Sequence, residues 1–146
     1  MDGATRLPAQ AAAVPADGVA KQALRVMCLD AASGKTVWST DVFLDDVTKM
    51  HSKNSQASPT PILAEGRLYV HFGHMGTACL ALDGKVIWKN SELRYSPVHG
   101  NGGSPALAGK ALVFSADGLA DPVVIALDRE TGKLLWKTKR DTTAKK

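Results

Sequence analysis

Short runs of apolar residues, separated by Gly, Asp and Pro, recur along most of the chain. The runs are too short for helices of several turns, and turn-forming residues bound each one. This pattern is typical of β-strands and predicts an all-β protein. The predicted strands form two sets of four, at 59–63, 67–72, 77–82 and 85–89, then at 104–108, 110–115, 122–127 and 133–138.

One motif occurs three times, each time ending in tryptophan. The complete copy, residues 126–136, reads Ala-Leu-Asp-Arg-Glu-Thr-Gly-Lys-Leu-Leu-Trp. The copy at 28–38 has Cys for Ala and Ser for Thr, and the copy at 81–88 lacks three residues between Asp and Gly. Successive tryptophans are about 50 residues apart, and a four-stranded unit of this length is a propeller blade.

The motif Ala-x-Asp-x-x-Thr-Gly-x-x-x-Trp resembles the tryptophan-docking motif of the PQQ-type (pyrroloquinoline quinone enzyme-like) β-propeller repeat family, over about residues 25–140. The resemblance implies four-stranded antiparallel blades with the tryptophans packed between them. Many members of this repeat class bind no quinone, and the quinone enzymes are full rings. PQQ is therefore not expected as a cofactor of so few blades. The family is often exported, but no signal peptide is visible, so the location stays open.

The repeats supply only part of a ring. Residues 25–45 supply half a blade, and residues 55–90 and 100–140 supply one blade each, whereas 1–24 and the basic tail 141–146 are predicted to be flexible. Propellers need about four to eight blades. We therefore predict an open arc of about two and a half blades that closes by forming a homodimer or higher homo-oligomer. The alternative is a cut piece of a longer protein.

Charge and hydropathy limit the classes of binding partner that are expected. The 146 residues carry a net charge of +4, and the basic residues do not alternate with aromatic ones, so nucleic acid is not expected. No apolar stretch reaches the ~20 residues that span a bilayer, so a membrane is not expected either. The predicted partners are a second copy of the chain and a small-molecule substrate.

The four histidines all lie between residues 51 and 99. If the strands of each blade are named A to D from the inside out, the B–C and D–A connections share one rim. His51 and His99 lie in D–A connections, His71 ends a B strand, and His74 follows it. Neutral imidazoles gathered on one rim suit Zn²⁺ and related ions. The sequence therefore predicts a divalent metal, zinc by preference, held by His51, His71, His74 and His99.

Three functions are compatible with these features. The first is a metal-dependent hydrolase of small activated esters or phosphoesters, in which bound hydroxide attacks. Asp117 occupies the place of His74 in the next blade and is its predicted catalytic base. The second is a non-catalytic interaction module or scaffold, which needs no metal and in which the same rim grips a peptide or a partner protein. The third, a fragment of a quinone-dependent dehydrogenase, rests on the family resemblance alone.

Overall fold

The computed structural model describes residues 21–46, 54–97, 99–118 and 122–141. Within these ranges the chain forms ten β-strands, one 3₁₀ turn at Gly73–Met75 and no α-helix, so it contains no helix able to cross a membrane. The strands are β1 (Lys21–Leu29), β2 (Thr36–Asp46), β3 (Ile62–Ala64), β4 (Arg67–His71), β5 (Thr77–Ala81), β6 (Val86–Asn90), β7 (Ala106–Ala108), β8 (Ala111–Ala116), β9 (Val123–Asp128) and β10 (Leu134–Lys139).

The strands form three separate antiparallel sheets. The hairpin β1–β2 is the half-blade, β3 to β6 form the middle blade, and β7 to β10 form the last blade, each in sequence order. The predicted all-β class and four-stranded antiparallel blades are confirmed. The first strand begins at Lys21, inside the segment 1–24 that was predicted to be flexible.

The apolar core lies between the sheets. One cluster joins the half-blade to the middle blade and includes Phe43 and Leu80, and a second joins the middle blade to the last blade and includes Tyr69 and Leu112. The middle blade is covered on both faces, which is why β5 is buried at every position from Thr77 to Leu80. In contrast, no residue of the outermost strand β10 is buried.

The turns between the third and fourth strands are closed by the motif aspartate. Oδ1 of Asp128 accepts hydrogen bonds from the backbone N–H and the hydroxyl of Thr131, at 2.8 and 2.9 Å. Asp30 bonds to Ser33 in the same way. These bonds lower the pKa of both carboxyls. The motif glycine then takes a positive φ, which non-glycine residues rarely adopt.

Candidate functional site

A tryptophan of the middle blade packs on a turn of the last blade and joins the two. Trp88 is only 8% exposed, and its indole N–H donates a hydrogen bond to the backbone oxygen of Arg129 at 2.9 Å. Asn90, two residues later on β6, donates to the backbone oxygen of Gly132 at 2.9 Å. A Cβ on Gly132 would collide with the indole ring. This docking site therefore consists of an indole ring and a second side-chain donor on one blade, and of two turn carbonyls and a glycine on the next.

The half-blade is joined to the middle blade in the same way. Trp38 donates to the backbone oxygen of Leu82 at 2.8 Å, and the Thr40 hydroxyl donates to that of Gly84 at 2.8 Å. A Cβ on Gly84 would lie 2.7 Å from the indole. The turn at Gly84 is the shortened copy of the motif, and its two acceptors are the carbonyls of the motif glycine and of Leu82, the residue before the motif Asp. Docking therefore tolerates a change in turn length.

A polar cluster, formed by Gln56, His74, Tyr95 and Asn101, lies where the 3₁₀ turn meets the connections before the two A strands. Tyr95 donates to Oδ1 of Asn101 at 2.8 Å, and Nδ2 of Asn101 lies 3.0 Å from Nδ1 of His74 and 3.3 Å from Oε1 of Gln56. Burial raises the pKa of Tyr95 to about 12 and lowers the pKa of His74. The phenol thus remains a donor, and the neutral imidazole accepts from the amide. We call this set the rim cluster.

His71 lies in the core between the middle and last blades. Its side chain packs on Phe114 with ring centroids 4.2 Å apart, and Nδ1 lies 2.8 Å from the hydroxyl of Thr77. Nε2 is buried without a hydrogen-bond partner, and burial lowers the pKa of the ring to about 4. His71 is therefore neutral at physiological pH and contributes to packing.

The predicted metal site does not assemble in the part of the chain that the structure describes. His51 lies outside the described residues, and the backbone oxygen of His99 accepts a hydrogen bond from Asn54. Asp117, the predicted catalytic base, pairs with Arg140 at 2.6 Å. Across the described ranges, no three His, Cys, Asp or Glu side chains are placed to share a metal.

Several hydrogen bonds among the described residues join the connections at this rim. Asn101, in the connection that contains His99, bonds to His74 of the 3₁₀ turn. Sequence reasoning missed Gln56, Tyr95 and Asn101 as parts of this cluster. One signal was present, because both connections read His, then Asn, then Ser-Pro. In both connections the asparagine makes a hydrogen bond across the rim, Asn54 to the backbone oxygen of His99 and Asn101 to His74.

Stacked four-stranded sheets joined by seated tryptophans define a segment of a β-propeller built from PQQ-type repeats. The family model described as outer membrane protein assembly factor BamB matches residues 12–146, and the chain belongs to this PQQ-repeat family. The quinone alcohol dehydrogenase, dehydrogenase subunit, of Gluconobacter oxydans (strain 621H) is 31% identical over 129 residues. That match covers 77% of this chain and 16% of the dehydrogenase subunit.

Solved structures share the fold. BamB from Moraxella catarrhalis aligns with a TM-score of 0.52 and 19% identity, over 78% of this chain and 30% of its own. A europium-containing methanol dehydrogenase aligns with a TM-score of 0.58 and 18% identity, over 85% of this chain and 23% of its own. The quinohemoprotein alcohol dehydrogenase from Comamonas testosteroni aligns with a TM-score of 0.54 and 16% identity, over 84% of this chain and 20% of its own. The chain thus spans less than a third of each of these proteins.

These relatives correct the function predicted from the sequence. The metal-dependent hydrolase is wrong, because the family match is to BamB, and the relatives include a quinone alcohol dehydrogenase and a europium-containing methanol dehydrogenase. Zinc loses its support with it, since the described histidines are engaged separately. The expectation that PQQ plays no part is also unsupported, because the relative from Gluconobacter oxydans is a quinone enzyme.

Proposed function

We propose that this chain supplies blades of a PQQ-type propeller that serves as a non-catalytic binding scaffold. The side chains that would be candidates for chemistry hold the fold together instead. His71 packs between two blades, His74 accepts from Asn101, and Asp117 pairs with Arg140. The surfaces left for function are the rims and the exposed face of β10.

The single observation that carries this proposal is the state of the arginines. Every arginine within the described ranges is paired with a carboxylate. The pairs are Arg25–Asp41, Arg67–Glu130, Arg94–Asp45, Arg129–Glu65 and Arg140–Asp117, each at 2.6 Å. PQQ is a tricarboxylate, and guanidinium groups bind carboxylates best when both N–H donors of the fork are available. The described arginines therefore support a scaffold, because each already has a carboxylate partner within the chain.

A second candidate is a portion of a quinone-dependent alcohol dehydrogenase. The observation that favours it is the 31% identity with the Gluconobacter oxydans subunit. In that case residues of this chain would form part of the quinone site.

Quinone binding by the purified chain tests the scaffold proposal, because a chain that holds PQQ by itself is not a non-catalytic scaffold. The purified chain is dialysed against PQQ with Ca²⁺, and bound quinone is measured by absorbance, followed by a dye-linked assay with primary alcohols. An intact quinone-dependent alcohol dehydrogenase, treated alike, is the positive control. The scaffold proposal predicts no retained quinone and no alcohol-dependent dye reduction. Stoichiometric PQQ on the purified chain would contradict it and support the dehydrogenase portion.

A further inference from the structure

The third motif tryptophan has no turn to sit on among the described residues. Trp136 is 45% exposed, compared with 8% for Trp88, and within the described ranges no carbonyl accepts a hydrogen bond from its indole. Thr138 stands two residues later on β10, where Thr40 and Asn90 stand on their strands. Trp136 and Thr138 therefore present the same two donors as the two docked strands. We call this pair the open docking face.

The complementary half of the same interface is exposed at the other side of the arc. The turn at residues 30–34 is the first copy of the motif, and it is held by the same aspartate bonds as the turn at 128–132. Gly34 has a φ of 69°, almost the 70° of Gly132, and nothing lies within 4 Å of the position of its Cβ. Gly84 and Gly132 are buried beneath an indole, whereas Gly34 is exposed. We call residues 30–34 the open turn.

The two halves match position by position. In the last blade, the acceptors are the carbonyls of the residue after the motif Asp and of the motif Gly. The corresponding carbonyls of the open turn belong to Ala31 and Gly34. Its backbone has the conformation that receives a tryptophan elsewhere in this chain, and the place beside its glycine is empty. An interface that forms twice within the chain is thus present as two separated halves.

We propose that Trp136 and Thr138 dock onto the open turn of a second copy of this chain, with the indole of Trp136 over Gly34. The indole N–H would donate to the carbonyl of Ala31, and the Thr138 hydroxyl to that of Gly34. This inference extends the proposed scaffold function by naming one partner.

The contact is head-to-tail, because the two copies use different surfaces. Two copies form a closed ring if the contact forms twice. Each copy contributes two blades and one half-blade, so two copies would fill six ring positions, two of them with a half-blade only, within the range of about four to eight blades found in propeller rings. A heterologous contact that closes gives a defined ring, whereas one that does not close gives open chains. A second copy is favoured over an unrelated partner because the open turn carries the specific acceptors and glycine that the open docking face requires.

Sedimentation velocity over a concentration series tests the proposal with the whole 146-residue chain. We expect a dimer whose dissociation constant rises at least about tenfold in Trp136→Ala, since a buried tryptophan is a typical hot spot of an interface. Gly34→Ala should weaken the dimer to a similar extent, because its Cβ would meet the docked indole.

The chain offers matched controls for both changes. Gly66→Ala imposes the same kind of strain, because Gly66 has a φ of 73° and nothing within 4 Å, but it lies in the turn between β3 and β4. Leu135→Ala removes an apolar side chain that is 48% exposed, at the position where Ile87 stays exposed beside docked Trp88. Neither control should change the dissociation constant. Far-ultraviolet circular dichroism shows which variants are folded.

A mixing experiment tests the pairing itself. Trp136→Ala retains an intact open turn, and Gly34→Ala retains an intact open docking face, so one good interface forms when the two variants are mixed. We expect association in the mixture at concentrations where each variant alone is monomeric. A wild-type chain that stays monomeric, or a dimer that neither variant weakens, would overturn the proposal. Either result leaves the scaffold function to be decided by the quinone experiment.

Discussion

Trp88 and Trp136 occupy the same position of the same repeat, yet they differ in almost every physical property. Trp88 lies in a core cluster, donates to the next blade and covers a glycine. Trp136 ends the complete copy of the motif and is nearly half exposed. The repeat therefore encodes a docking unit whose burial depends on whether a neighbouring turn is supplied.

The difference also shows where this fold stores its stability. The apolar clusters lie between sheets rather than within one, so each blade depends on its neighbours. A surface that is central to one interface is an exposed apolar patch at the other. Changes to the docked and open copies of the motif should therefore have very different effects.

The largest contrast is expected from removing each indole. Trp88→Ala should lower the free energy of unfolding by about 4 kcal/mol, because it leaves a cavity and orphans the carbonyl of Arg129. Trp136→Ala should lower it by about 1 kcal/mol or less in dilute solution, where the ring is already half solvated. Urea denaturation measures both values. Equal losses would mean that the two tryptophans do not differ as described.

The glycines beneath the tryptophans give the next largest contrast. Gly132→Ala should lower the free energy of unfolding by about 3 kcal/mol. The alanine would have to keep a positive φ, and its Cβ would collide with the ring of Trp88. Gly34→Ala should cost only about 1 kcal/mol, from the backbone conformation alone. Thermal and urea unfolding of the two variants check the difference, and a Gly34 variant as unstable as the Gly132 variant would contradict it.

Acid should loosen the docked interface through His71. The pKa of its buried ring is about 4 in the folded chain and about 6.5 when unfolded, so folding favours the neutral form. This contribution is fully present above pH 6.5 and is lost as the pH falls towards 4. It amounts to about 3 kcal/mol. His74 adds a smaller effect of the same sign, because its pKa is also lowered.

The variant His71→Phe isolates that effect. It keeps an aromatic ring against Phe114 but cannot titrate, so its stability should fall much less between pH 6.5 and pH 4. Urea midpoints across this range provide the measurement. A variant with the same pH dependence as the wild type would show that another group is responsible.

The smallest effect is expected from the ion pairs around the docked tryptophan. Glu65 bonds to Arg129 across the interface, but its side chain is 71% exposed. Glu65→Gln should therefore change stability by about 0.5 kcal/mol or less, and this small change should shrink further at high salt. A loss of unfolding free energy comparable to that of Trp88→Ala would show that ion pairs, and not tryptophan docking, chiefly hold the blades together.

The fold was predictable because its signals are local. Gly and Asp fix the turns, so the predicted strand 67–72 coincides closely with Arg67–His71. The histidine environments were not predictable in the same way, because they depend on the direction of each side chain. His71 lies two residues after Tyr69 and so shares the strand face that packs on the last blade. Strand parity could have placed it in the core.

The rim cluster was harder to foresee for a different reason. Its residues come from three connections, and only tertiary packing brings them together: Gln56 precedes β3, His74 follows β4, and Tyr95 and Asn101 both lie between β6 and β7. No periodicity links their positions. The repeated asparagine of the two connections was the one local clue.

The most direct test of tryptophan docking is solvent exchange of the three indole N–H groups, followed by NMR on chain labelled with ¹⁵N-tryptophan. In dilute solution the account predicts two protected indole signals, from Trp38 and Trp88, and one fast-exchanging signal from Trp136. Conservative Trp→Phe variants assign the signals. Equal exchange of all three, or a protected Trp136 in the monomer, would contradict the account.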